Sequence, residues 1–129
     1  MSFNFDWNLV SAGAPYITIS DLGIGINLPA AALLGNPDTV IVGFDEQKMA
    51  LGIKKPDGIQ NAKTYKFCSR LKNGWIRIGC KDFIKYLSML SGLKFNPAIR
   101  FIAHYDEAED LLYISILEAV SDSSVMTVL

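Results

Sequence analysis

The residue types that carry most metal and redox chemistry are nearly absent from this sequence of 129 residues, which has two cysteines and one histidine. Cys68 and Cys80 are too few for a disulfide framework, and their spacing is not the CxxC of a metal or redox pair. We interpret both as reduced side chains that pack in the interior, with a disulfide between them as the less favoured alternative. The sequence therefore predicts no metal site.

Charge and long apolar runs are scarce as well. Charged residues make up 19% of the chain, below the usual quarter, and no apolar run reaches the roughly 18 residues that span a bilayer. The opening MSFNFDWNLV has neither the basic start nor the apolar stretch of a secretory signal, so we expect a cytoplasmic protein. Because 50% of the residues are apolar, residues 1–129 are expected to form a single domain with a sizeable core.

The sequence also lacks the motifs of familiar enzymes. In GIGINL, Leu28 stands where a dinucleotide fingerprint has its third glycine, and there is no phosphate-cradling loop, nucleophile elbow or zinc spacing. His104 alternates with apolar residues in FIAHYDE, so an ordinary strand residue is favoured over a general base. Four carboxylates form an acidic cluster without the central glycine of a calcium loop, and solvent exposure is favoured over cation binding: Asp106, Glu107, Glu109 and Asp110. We expect a non-enzymatic protein without a cofactor.

The charges that are present fall into three blocks. Residues 1–52 carry a net charge of −4, residues 53–100 carry +9, and residues 101–129 carry −6. Such segregation would place a basic face on an otherwise acidic protein. The alternative is that the basic block pairs internally with its acidic neighbours.

The chain contains one pattern twice, at residues 16–56 and 64–118. In the first copy, YITIS alternates like a half-buried strand, DLG turns the chain, and GIGIN predicts a second strand. Pro29 suits the start of a short helix and Gly35 its end. TVIVGFD then predicts a buried strand, DEQK a turn and MALGIK the returning strand.

The second copy repeats this order. YKFCSR predicts the first strand, LKNG the turn and WIRIGC the second strand. KDFIKYLSMLSG predicts a longer helix that stops at Gly92 and buries one face: Phe83, Ile84, Leu87 and Leu90. IRFIAHYDE then corresponds to TVIVGFDE, and LLYISI predicts the last strand of the copy. Coincidence is the alternative to duplication, because apolar strands and aromatic-Asp-Glu turns are common.

A single copy would be a poor domain, because four short strands and one helix leave an apolar face exposed. Two copies cover each other, as two subunits of a dimer would. We therefore predict a mainly β (α+β) fold, a pseudo-twofold β-barrel or closed sandwich built from two ββαββ repeats. Residues 1–15 and 119–129 would flank it. The aromatic SFNFDWN in the first flank is interpreted as an added strand, a partner surface or a flap on the core.

The order strand, turn, G-I-x-I-x-L-P, helix, Gly, strand, Asp-Glu turn, strand resembles the AbrB/SpoVT swapped-hairpin family, and two copies in one chain resemble its MraZ-type arrangement. The resemblance covers about residues 16–118. It implies a bacterial or archaeal DNA-binding regulator that contacts DNA through basic residues near the first hairpin and the helix. The first copy departs from the family, because Gly25 and Asn27 occupy the positions of the family's arginines. The second copy departs as well, because it has no counterpart of Pro29, the proline that follows Leu28 in the first copy.

The second copy holds the basic residues that fit such contacts: Arg70, Lys72, Arg77, Lys81 and Lys85. Arg77 alternates with apolar neighbours and should point away from the core, while Lys81 and Lys85 share a helix face. Together these side chains would bind phosphates of duplex DNA, and Trp75 and Tyr65 would stack on bases of a single strand. The alternative is that they are ordinary solvated charges.

The sequence thus favours a small, non-enzymatic DNA-binding or transcription-regulatory protein of the swapped-hairpin type. The alternative is a protein-interaction module, such as a phage or accessory inhibitor, that keeps the same barrel without binding DNA. The charge-poor first copy, the acidic flanks and the aromatic amino terminus favour that second interpretation.

Overall fold

The computed structural model describes residues 13–59 and 61–119, and in these residues the chain is mainly β, as predicted. The strands are β1 (Tyr16–Ser20), β2 (Gly23–Asn27), β3 (Thr39–Asp45), β4 (Ala50–Lys54), β5 (Tyr65–Lys66), β6 (Leu71–Lys72), β7 (Trp75–Gly79), β8 (Ile99–Ile102), β9 (His104–Asp106) and β10 (Leu111–Ser115). The helices are α1 (Leu28–Leu33) and α2 (Lys81–Ser91). Our predictions for SFNFDWN and for the chain beyond residue 119 lie outside the described residues.

The strands form two five-stranded antiparallel sheets. The first sheet has the order β6-β7-β2-β1-β8 and the second β5-β3-β4-β10-β9. Both sheets take strands from both halves of the chain, and in each a strand of the first half lies beside one of the second at the centre: β2 beside β7, and β4 beside β10. Across the described residues the sheets do not close into a barrel.

Alternation along the strands gives each sheet one buried face. Ile17 and Ile19 on β1 and Ile24 and Ile26 on β2 are at most 2% exposed, as the period of two predicts. The rest of the core comes from both halves of the chain: Val40, Leu51, Ile53, Phe67, Ile76, Ile78, Ile84, Leu87, Phe95, Phe101, Leu112, Ile114 and Ile116. The apolar sides of the two sheets therefore share one core, and the polar residues between them point outwards.

Short-range signals set the turns and helix ends. Asn73 and Gly74 join β6 to β7 with φ of 55° and 82°, the left-handed conformations that a tight hairpin turn requires. Asn27 caps α1, since its Oδ1 accepts a hydrogen bond of 3.1 Å from the Ala30 N–H. As predicted, α2 ends at Gly92, whose φ is 75°.

Two predicted strands are broken. Within YKFCSR, the strand stops at Lys66, a 3-10 turn runs over Cys68–Arg70, and the strand resumes only at Leu71. The cause is Phe67, which is fully buried and whose N–H donates to the Asp38 carbonyl at 2.8 Å. Within IRFIAHYDE, the strand breaks at Ala103, where the chain leaves the first sheet for the second.

The helices occupy opposite ends of the central pair of the first sheet. α1 follows the last residue of β2, and α2 follows β7, which runs antiparallel to β2. Ile84 and Leu87 bury one side of α2. Neither helix in the described part of the chain has the length and apolar content needed to cross a membrane.

Candidate nucleic-acid interface

The outer face of the first sheet collects basic and aromatic side chains. Strand register gives one row across the sheet, in which Arg77 pairs with Gly25, Gly25 with Thr18, and Thr18 with Arg100. At about 4.8 Å between strands, the two arginines start about 14 Å apart at their Cα atoms. The neighbouring row holds Lys72 beside Trp75 on β6 and β7, and Tyr16 beside Ile102 on β1 and β8. We call these two rows the basic face.

Gly25 shapes the centre of the basic face. A Cβ placed on Gly25 would lie 3.5 Å from Trp75 Cε3 and 3.7 Å from Arg77 Nη1. The indole and the guanidinium of β7 therefore lean over the backbone of β2, into space that a larger residue at position 25 would occupy. A side chain larger than alanine at position 25 would compete with Trp75 and Arg77 for this space.

A second cation lies on an aromatic ring of this face. The guanidinium carbon of Arg100 lies 5.1 Å from the centroid of the Tyr16 ring, within the range of a cation–π contact. This contact holds a positive charge close to the sheet surface at the side opposite Lys72.

Among the described residues, the charged side chains in the two rows of the basic face are all cations. They are Lys72, Arg77 and Arg100, and within residues 13–59 and 61–119 no carboxylate belongs to either row. The internal pairing that we considered for the basic block does occur elsewhere, since Lys55 Nζ lies 3.1 Å from Asp110 Oδ2. That pair belongs to the second sheet, where β4 ends and β10 begins.

Comparison with known proteins adds no relative: no family model, curated protein or solved structure matches the chain. The role of the basic face is therefore inferred from its own residues alone.

Of the five predicted phosphate-binding residues, two belong to the basic face. Lys72 and Arg77 lie in its rows, and both are exposed. Arg70 ends the 3-10 turn before β6, and Lys81 and Lys85 lie on α2 beyond the far end of β7; all three are exposed. The predicted residues are thus spread along β7, whose five residues span about 13 Å, and are not gathered at one hairpin.

Sequence reasoning missed Arg100, Tyr16 and the role of Gly25. Arg100 lies 23 positions after Arg77 in the sequence, and only the β1–β8 pairing brings it to the same face. Tyr65 was expected near Trp75, but it lies on β5 in the second sheet, where burial raises its pKa. The alternation of Tyr16 with the buried Ile17 was a signal that could have found Tyr16.

The two cysteines and His104 lie in different surroundings. Burial raises the pKa of Cys80 to about 11, so this thiol stays protonated at neutral pH. Cys68 is also free, and its pKa is raised because its Sγ donates to Asp38 Oδ1 at 3.4 Å. His104 is exposed, with its ring 5.3 Å from that of Tyr113. In residues 13–59 and 61–119, no three His, Cys, Asp or Glu side chains come together to hold a metal ion.

The acidic cluster takes part in turns. Asp106 Oδ1 accepts a hydrogen bond of 3.2 Å from the Glu109 N–H, and Asp110 Oδ1 accepts one of 2.6 Å from the Tyr105 hydroxyl. That hydroxyl and the ion pair with Lys55 lower the pKa of Asp110. Two of the four carboxylates therefore have local partners that explain their presence.

Proposed function

We propose that this protein is a small, non-enzymatic, cytoplasmic DNA-binding regulator, and that it binds duplex DNA with the basic face. The observation that carries the proposal is a sheet surface with Lys72, Arg77 and Arg100 and, in the described residues, no carboxylate in the same rows. Cations of this kind attract the phosphate backbone and release its counterions. The two free cysteines agree with a reducing compartment.

The arginines and the lysine would contact the phosphates in different ways. A guanidinium presents a rigid fork of donors that matches two phosphate oxygens, whereas a lysine acts as a point charge. Arg77 Nη1 lies close to Gly25 and the Arg100 guanidinium lies on the Tyr16 ring, so both guanidinium groups lie along the sheet surface, where phosphates would approach. Lys81 and Lys85 would add contacts beyond the end of β7, and Arg70 beside Lys72. Phosphate contacts position the protein on the duplex and provide affinity. Recognition of a particular base sequence would also require contacts with base edges.

We also propose that the fold is an internal duplication with a pseudo-twofold axis. Reciprocal pairing supports this: β1 of the first half pairs with β8 of the second, and β5 of the second half pairs with β3 of the first. Val40 and Phe101 occupy equivalent positions in the two copies, so their pairing partners, Tyr65 and Ile17, are equivalent as well. In the same way, Leu71 is equivalent to Ile19, because each pairs with the corresponding residue of the second strand of its copy. Between these two equivalent pairs, the second half then carries four extra residues, 67–70, which contain the 3-10 turn.

This arrangement supports a swapped-hairpin barrel of the AbrB/SpoVT type as the ancestral fold. In such a fold, each half supplies strands to both sheets, and equivalent strands meet at the axis, as β2 and β7 and as β4 and β10 do here. The two halves differ where they would contact DNA, since Gly25 and Arg77, which pair with each other, occupy equivalent positions of the two copies. We infer that a single composite basic face took over the binding.

Charge reversal at the centre of the basic face is the direct test. We expect Arg77→Glu to weaken binding of a fluorescent 20-base-pair duplex about tenfold or more at about 50 mM salt, because a charge-assisted phosphate contact is replaced by repulsion. Arg77→Gln should lower the slope of log K against log salt by about 1. Fluorescence anisotropy measures both effects.

Lys48→Glu is the matched control, because it changes net charge equally but lies in the turn between β3 and β4 of the second sheet. It should weaken binding much less than Arg77→Glu. No binding by the unchanged protein, or equal losses in the two variants, would reject the basic face as the DNA site.

Replacing Trp75 tests whether an aromatic ring of the basic face also stacks on DNA bases. If single-stranded DNA binds through stacking, Trp75→Ala should weaken its binding by about 5- to 150-fold, since each stacked base contributes about 1 to 3 kcal/mol. The same variant should change duplex binding by less than about threefold, because paired bases are not free to stack. Titrations of both DNAs, with Trp75→Phe as the control that keeps a ring, decide between the two modes.

The rival function is a protein-interaction module, and one observation favours it. Tyr86 and Met89 on α2 are 46% and 72% exposed and lie three positions apart on one side of the helix. Exposed apolar side chains of this kind suit a protein partner. If Tyr86→Ser/Met89→Ser abolishes a stoichiometric complex with a host protein, and Arg77→Glu does not, the rival is correct.

A further inference from the structure

The outer face of the second sheet contains a trough that the proposed function does not use. Its volume is about 830 Å3, within the range of small-molecule sites. β3, β4 and β10 form its floor and one wall, and Ile59, Ala62 and Lys63 line its other side. The basic face belongs to the other sheet, so the two surfaces are separate.

The floor of the trough is backbone. Gly43 on β3 pairs directly with Gly52 on β4, and Gly52 pairs with Tyr113 on β10. Neither glycine has a positive φ, so neither is needed for the path of the chain. Glycine weakens a strand interior, and where no turn or bulge requires it, it marks close approach of a ligand or another chain.

Among the described residues, the space above Gly43 is open, whereas the Leu111 side chain lies over Gly52. A Cβ on Gly43 would meet no described atom within 4 Å, and one on Gly52 would meet only Leu111 Cδ1, at 3.0 Å. An aromatic ring on a neighbouring strand often covers a strand glycine, but Tyr113 does not do so here. Its ring lies instead beside His104, with 5.3 Å between the ring centroids. In the described residues, the trough therefore has a bare backbone floor at Gly43, with Leu111 and Tyr113 beside it.

The charged residues around the trough favour an anion. Lys48, Lys54 and Lys63 line it together with Asp45 and Asp106. Both carboxylates accept hydrogen bonds from backbone N–H groups of their own turns, at 3.1 Å and 3.2 Å. In the described residues no carboxylate forms a salt bridge with any of the three lysines. Positive charge is therefore in excess around an apolar floor.

We propose that this trough binds a small molecule with a planar aromatic ring and an acidic group. The ring would lie on Gly43, beside the Leu111 side chain that lies over Gly52, with one edge towards Tyr113. Lys54, which lies in the adjacent row between Ile41 and Leu111, would pair with the acidic group, and Lys63 would support it from the other side. Aromatic carboxylates and nucleoside monophosphates both have this chemistry.

The probes are 2-naphthoate, the uncharged ring 2-naphthol and adenosine monophosphate, each titrated into the 15N-labelled full chain. For a molecule of this size we expect a Kd on the order of 1 mM for the better of the two anions. The amide signals of Gly43 and Gly52 should shift on binding, and those of Gly25 and Gly79 should not. The anion that binds more tightly identifies the source, and 2-naphthol should bind at least about fivefold more weakly than 2-naphthoate.

The decisive variant places a side chain on the floor of the trough. Gly43→Val fits sterically, because its site is open, and a β-branched residue suits a strand; it should weaken binding of the better probe about tenfold or more. Gly79→Val is the matched control, since its Cβ also meets no described atom within 4 Å but it lies on the first sheet. Unchanged binding by Gly43→Val, shifts spread evenly over all four glycines, or no shift at all would overturn the proposal. So would binding that appears only after removal of residues 1–12, because it would assign the trough to the chain's own terminus.

Discussion

Replacing Gly23 with alanine is expected to destabilise the protein by about 3 kcal/mol or more, the upper end of the cost of overpacking. A Cβ at this position would lie 1.9 Å from the carbonyl oxygen of Ile78 and 3.1 Å from the Cys80 nitrogen. Both atoms are backbone, so no side chain can rotate away to relieve the clash. With a urea m-value of about 1.5 kcal/mol/M, the unfolding midpoint should fall by about 2 M.

The pairing partner of Gly23 provides the control. Gly79 lies directly opposite on β7, and a Cβ there would meet no described atom within 4 Å. Gly79→Ala should therefore leave the free energy of unfolding unchanged or raise it by up to about 1 kcal/mol. Equal midpoints for the two variants would contradict the close β2–β7 contact, the central pairing between the two halves of the chain.

Local chemistry in the sequence predicted most of the elements. TVIVGFD became β3 with both ends as expected, and Gly92 ended α2. The failures came from long-range packing. Phe67 had to enter the core between strands, which broke the strand that YKFCSR predicted. Ala103 had to carry the chain between the sheets, where its N–H donates to the Pro15 carbonyl at 3.1 Å. Neither demand has a local signal, because each depends on a segment far away in sequence.

The candidate site was predictable only in part for the same reason. Alternation with buried isoleucines was enough to place Arg77 on an outer face. The position of Arg100 on that face depends on the pairing of β8 with β1, more than eighty positions apart in the sequence. The glycine floor of the trough depends on the register of β3 against β4, and a slip of β3 by one residue would turn Gly43 inwards and away from Gly52.

Replacing Phe101 with alanine is expected to cost about 3 to 5 kcal/mol, the usual range for a buried phenylalanine. Phe101 belongs to the second half of the chain, is fully buried, and pairs with Ile17 of the first half. Because small proteins are stable by only about 5 to 15 kcal/mol, this loss would remove a large share of the total. Phe101→Leu, which keeps most of the apolar volume, should cost much less. Urea unfolding of the three proteins measures the difference.

Amide hydrogen exchange of Phe101→Ala shows how far that loss spreads. The apolar faces of both sheets meet in one core, so the two halves should open together in one cooperative transition. We therefore expect the amides of Ile17 and of Ile53, which lie on different sheets, to lose the same amount of protection. Loss confined to β1 and β8, with β4 still protected, would mean that the second sheet is stable by itself. In that case the two sheets would unfold separately, and their shared apolar core would not make the whole chain one cooperative unit.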